Sequence, residues 1–213
     1  MKNLIVLFST VFLLSSQVLA GGPKYVSAME GAIAGYELCR NQEDFANLAH
    51  KFSRIAQAEQ DEWLPSYYQA HCLIVSSFIE QDRTKKEAYI ESARPAMERV
   101  MKMAEKDSEA HVLQAMFYSA ELVVDPATRG QKYGMLSGQS VQVALSIDPE
   151  NPRAKYMDIQ NGMGTAQFFG QDIAPYCERA KAALAEFDKY EMKSTIHPAW
   201  GKWDLEQVAI SCK

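Results

Sequence analysis

Eleven residues, Ala144-Leu-Ser-Ile-Asp-Pro-Glu-Asn-Pro-Arg-Ala154, constrain the fold more than any other stretch of the chain. Ala144, Leu145 and Asp148 fall within one helical turn. Pro149 then stops that helix, because its ring and missing N–H cannot continue the hydrogen-bond ladder. Asn151 is a good N-cap, and Pro152 stands where proline is tolerated, at the first helical position. One helix therefore ends and another begins across a tight joint. Helices joined in this way pack side by side as antiparallel neighbours.

Apolar residues at three- and four-residue steps predict helices along most of the chain. They cover Tyr25 to Arg40, Glu43 to Glu59, and a third segment that follows Trp63-Leu64-Pro65 and runs to about Gln81. Further helices are expected over Lys85 to Lys106, Glu109 to Val124, Ser140 to Ile147, Pro152 to Phe169, Ala174 to Tyr190 and Pro198 to Cys212. Pro95 should kink or split the fourth of these. Ser108 is the expected N-cap of the fifth. Met97, Met101 and Met103 read as adaptable core filling. The one long irregular stretch is 127–138, where Arg129-Gly130 and Tyr133-Gly134 suggest turns. Gly162 and Gly164, inside a helical pattern, suggest close approach of a neighbouring helix.

Three helix starts recur at a constant interval. Ser66, Ala110 and Ala154 are spaced by 44 residues, with Tyr68, Val112 and Tyr156 in parallel. A two-helix unit repeated at that step indicates a solenoid. The joint resembles that between tetratricopeptide (TPR) repeats, although the ordinary TPR unit is about 34 residues. Ala115 fits a small TPR position, while Ile159 occupies its counterpart. The chain also resembles a family of exported bacterial TPR-like proteins. The residues that carry this resemblance are Trp63-Leu64-Pro65-Ser66-Tyr67-Tyr68, Arg129-Gly130 with Tyr133-Gly134, Asp148 to Ala154, Phe168-Phe169-Gly170, Pro198-x-Trp200-Gly201 and the Cys212-Lys213 end. The resemblance implies an all-α, TPR-like helical repeat array (an α-α superhelix) of about four helix pairs with a C-terminal capping helix, located in the cell envelope. It implies no activity and no catalytic residues.

Residues 1–20 read as a secretory signal: Lys2, the apolar run Leu4 to Leu14, then Val18-Leu19-Ala20 at the cleavage position. That run is too short to span a bilayer, which needs about 20 residues. Residues 21–213 are then one exported domain, periplasmic or secreted. Removing the signal takes away one lysine and no acid, leaving 21 basic against 27 acidic residues. An acidic surface argues against nucleic acid and anionic lipid as partners. Four cysteines, Cys39, Cys72, Cys177 and Cys212, follow the signal without any C-x-x-C. In an exported protein an even number suggests disulfides. Cys177 with Cys212 is the preferred pair, since the last helix must dock on its nearest predecessor. Cys39 with Cys72 is the matching pair.

No H-E-x-x-H, G-x-S-x-G or phosphate loop is present, so no enzyme class, cofactor or metal is indicated. Two binding functions follow instead. In the first, the concave face made by the first helix of each pair takes a protein or peptide partner. Tyr67, Tyr68 and His71, with His111 and Tyr156, would line that face. His71 falls on an apolar side, where a histidine is usually a core or groove residue. In the alternative, a small molecule or glycan binds at the 127–138 loop, with Arg129 and Tyr133 in the lid and Trp200 as a stacking platform.

Overall fold

Asn151 caps a helix as its sequence predicts: its side chain accepts from the backbone N–H groups of Arg153 and Ala154. The computed structural model describes residues 21–212, so the expected signal lies outside the described residues. Among the described residues there are nine α-helices, one 3-10 turn and no strand. The helices are α1 Pro23–Ile33, α2 Gln42–Ala58, α3 Leu64–Ile79, α4 Arg83–Ala104, α5 Ser108–Val124, α6 Pro126–Ile147, α7 Pro152–Phe168, α8 Ala174–Phe187 and α9 Lys202–Ser211. No described helix is long and apolar enough to cross a membrane.

Consecutive helices pack against each other, and α3, α5 and α7 also touch in series. Those three begin at Leu64, Ser108 and Pro152, again 44 residues apart. The interval is visible in the bonding. Asn151 reaches Ser108, Arg153 reaches Glu109, Arg129 reaches Glu87 and Arg83 reaches Asp125, each across 42 to 44 residues. One repeat thus hydrogen-bonds to nearly equivalent positions of the last.

Several sequence expectations are corrected. Stretch 127–138 is not a loop: it is the first half of α6, which starts at Pro126 directly after α5. Asp125 ends α5 and at the same time caps α6, accepting from the Thr128 N–H. Arg129 then ties the helix down by ion pairs to Glu87 and Glu121. Helix α4 continues through Pro95 without splitting. The N-cap of α5 is Asp107, because the Ser108 hydroxyl is turned to the Ala144 carbonyl instead. The first helix is shorter than expected, changing at Ala34 to a 3-10 turn over Ala34–Leu38. The last begins at Lys202, leaving residues 188–201 as an irregular connection with turns.

The main core joins α1 to α5 around Met29, Phe52, Tyr67, Ile74, Ile90 and Leu113. A smaller one holds α7, α8 and α9 together through Ile159, Ala180 and Leu205. Cys177 and Cys212 are bridged beside it, with Cα atoms 5.6 Å apart. Gly162 lets α8 close on α7, since a Cβ there would collide with the Tyr176 ring. Cys39 and Cys72, expected as the other pair, are free thiols. The Cys39 thiol donates to the Gly35 carbonyl of the preceding 3-10 turn, and the Cys72 thiol donates to the Tyr36 hydroxyl at 3.1 Å.

Candidate functional site

The face built from α3, α5 and α7 is filled by the chain itself. Residues 188–201 leave α8 and run back over it as a strap. Tyr190 donates to Asp148, Lys193 pairs with Asp107, and Thr195 donates to Glu30. The Ile196 carbonyl accepts from the Tyr68 hydroxyl at 3.1 Å. Ile196, His197 and Pro198 are buried. Trp200 lies 4.8 Å from the His71 ring and donates its indole N–H to Tyr67 Oη at 2.8 Å.

Each residue expected on a peptide-binding face therefore has an internal partner. Tyr67, fully buried, donates onward to Glu109 at 3.3 Å. Glu109 is itself buried and receives Arg153 Nε at 2.8 Å and the Asn151 amide at 2.6 Å. Tyr68 stacks on Phe52. His71 is buried with Nδ1 at 3.0 Å from the Tyr36 hydroxyl, while its Nε2 has no partner. Burial pushes the His71 pKa down to about 3, so the ring is neutral. His111 lies at the edge, bonded to the Glu105 carbonyl.

Arg129 and Tyr133 lie on α6, away from any lid. Arg129 bonds to Glu87 and Glu121, and Arg94 bonds to Glu121 from α4. Tyr133 packs against Tyr118 at 6.1 Å. Trp200 is half-buried between His71 and Tyr156, its ring edge-on to Tyr156 at 6.3 Å. Arg129 and Tyr133 thus serve α6, while Trp200 serves the strap.

Tyr156 leads to a groove of about 440 Å³ between α7 and α9. Gly201 precedes α9 at a φ of 98°, which glycine adopts without the Cβ penalty. One wall is α7, with Tyr156, Gln160, Met163, Gly164 and Gln167; the other is α9, with Trp203, Asp204, Gln207, Val208 and Ser211. Residues 156, 160, 163 and 167 follow helical spacing, so they share one face. Gly164 has open space where a Cβ would sit, and this widens the groove rather than admitting a helix.

The chemistry of this lining is mixed. The Met163 thioether and Val208 are buried on its floor, while the Trp203 indole is 67% exposed at its edge. Gln160 donates to the Tyr156 phenol oxygen at 3.0 Å. Burial, with Asp204 adding to it, pushes the Tyr156 pKa up to about 12. Burial also raises the Asp204 pKa. Among the described residues, no cationic side chain lines the groove. Exposed apolar residues continue along both walls: Ile210 on α9, and Phe168 and Phe169 at the end of α7, whose rings meet edge-on at 5.1 Å. Such a surface suits a flat, largely apolar ligand that a few polar groups orient.

Sequence reasoning missed Gln160, Met163, Trp203, Asp204 and Gln207. The available signal was the pair Trp203 and Ile210, seven residues apart on one face of a short helix. Both are large and apolar, yet both point outward.

The helices, the bridged Cys177 and Cys212, and the groove define a class: an all-α, disulfide-bonded protein with an aromatic-edged cleft near its C-terminal end. No protein-family model and no curated protein matches the chain. Among solved structures, the HusA haemophore from Porphyromonas gingivalis is similar, with a TM-score of 0.74 and 30% sequence identity over 89% of this chain and 92% of that one. The chain belongs to the family of the HusA haemophore.

Proposed function

We propose that this protein is an exported, non-catalytic carrier that binds a haem-class tetrapyrrole in the groove between α7 and α9. The single observation that carries the reading is the likeness to a haemophore along nearly the whole of both chains. The groove's residue types support it. A tetrapyrrole is a flat apolar plate, and Trp203 offers it an exposed aromatic face. Tyrosine phenolate and methionine thioether are both known ligand types for haem iron, and Tyr156 and Met163 lie on the lining. The carboxylates of such a ligand would face solvent, in keeping with a groove whose described lining has no cation.

A small ligand is favoured over a peptide because the face suited to a peptide is covered by residues 188–201, with Tyr67 and Tyr68 bonded to that strap. We read the 44-residue array as TPR-like, in an expanded form in which the chain supplies its own occupant for the inner face. The Cys177–Cys212 bridge supports export, since disulfides persist in oxidising compartments.

Titrating hemin into the protein lacking residues 1–20 tests the reading. The Soret band is expected to sharpen and saturate at one equivalent of hemin. Trp203→Ala should weaken binding about tenfold, the equivalent of about 1.4 kcal/mol. Tyr156→Phe and Met163→Leu separate the iron ligand: the one that provides it shifts the Soret maximum. Absence of saturable hemin binding would reject the proposal.

A further inference from the structure

A second groove, of about 420 Å³, lies between α1 and α2 and shares no residue with the first. Its floor is small and apolar, made by Ala28, Gly31 and Ala32 of α1 with Ile55 and Ala58 of α2. Gly31 stands inside a helix, where glycine is weaker than alanine. No neighbour requires it, because a Cβ there would meet nothing within 4 Å. The position is open because the groove is open.

Three cations rim this floor: Lys24, Lys51 and Arg54. Elsewhere the chain pairs many of its basic groups, but none of these three enters an ion pair among the described residues. Glu59 is the one acid on the lining. A net positive groove is conspicuous in a chain of formal charge −5. Tyr25 also lines it. Only 2% of that residue is exposed, and its hydroxyl is buried beside the Glu62 and Glu59 carboxylates.

We infer that the α1–α2 groove is a second binding site, for an amphiphile bearing a carboxylate. The apolar floor takes the hydrocarbon body, and Lys24, Lys51 and Arg54 hold the anionic head. The site stands on its own residues and does not depend on tetrapyrrole binding at α7–α9. An acyl chain and a porphyrin carboxylate share this chemistry, and the experiment separates them.

Calorimetric titration with dodecanoate, below its micellar concentration, is the test. One saturable site is expected, with no binding of the neutral dodecyl maltoside. Gly31→Leu should abolish dodecanoate binding while keeping or raising the melting temperature, because it fills the groove and removes a helix-interior glycine. Lys51→Glu with Arg54→Glu should weaken binding at least about tenfold, and Trp203→Ala should leave it unchanged. Displacement of dodecanoate by protoporphyrin IX would identify the porphyrin carboxylates as the preferred head group; no displacement would identify the acyl chain. The inference is overturned if dodecanoate does not bind, if Gly31→Leu and the double charge reversal bind it as well as the parent protein, or if Trp203→Ala abolishes binding. Hemin titration of the same variants is read separately, so a protein that takes dodecanoate but not hemin contradicts only the tetrapyrrole reading.

Discussion

Trp200 donates its indole N–H to the Tyr67 hydroxyl at 2.8 Å, across 133 residues of sequence. Tyr67 passes the interaction to Glu109, and Glu109 to Arg153. This chain of contacts fastens the 188–201 strap to three successive helix pairs. Tyr67→Phe removes the shared hydroxyl and leaves the indole N–H and a carboxylate oxygen unpartnered. The expected loss is about 1–3 kcal/mol. Urea unfolding measures it; an unchanged midpoint would mean that the strap is held by packing alone.

Arg153 and Glu109 form an ion pair at 2.8 Å with both side chains about 1% exposed. Breaking a buried pair leaves an uncompensated charge, which typically costs about 3–5 kcal/mol. Arg153→Met or Glu109→Gln alone should therefore be severely destabilising. The double variant should lose much less than the sum of the two, and a double-mutant cycle on unfolding free energies checks this.

The bridge from Cys177 to Cys212 closes a loop of 35 residues and holds α9 on α8. Replacing both cysteines by serine should cost about 3–4 kcal/mol on the loop-entropy account. Because α9 forms one wall of the groove, hemin affinity should fall with it. Alkylation of the native protein should label half-buried Cys39 first. Cys72 should react only on unfolding, since burial holds its thiol protonated.

Acid should loosen the same region. His71 is lowered to about 3 by burial. His197, on the strap, is lowered by burial and by the cations Arg153 and Lys193, against opposing pulls from Glu109 and Asp107. Both rings are neutral when folded but take up a proton when unfolded, from about pH 6.5 downwards. Their contribution is fully present above that pH and is lost as pH falls below it, a loss that for His71 extends towards 3. Urea midpoints should drop across this window, and His197→Gln should flatten the slope. An unchanged slope would mean that carboxylates alone set the acid response.

What was legible in the sequence was local. Asn151 and Pro152 form a helix start that needs only neighbouring residues, and the 44-residue step is a count. Helix α6 was misread because Gly130, Gly134 and Gly138 weaken its intrinsic preference. Its stability comes from Asp125 as cap, from Arg129 reaching Glu121 on α5, and from Arg129 reaching Glu87, which lies 42 residues back. Residues 192–197 read as a loop, but their docking was invisible for the same reason at larger scale: Tyr68 and Ile196 meet across 128 residues. The α7–α9 groove depends on how Gly201 aims α9 after that strap, so Tyr156 and Trp203 could each be noticed but not joined.

Hydrogen exchange of the protein with and without hemin tests the central claim most directly. Binding between α7 and α9 predicts slowed exchange in residues 156–167 and 203–211. Protection confined to α1 and α2, or none anywhere despite saturating hemin, would contradict it.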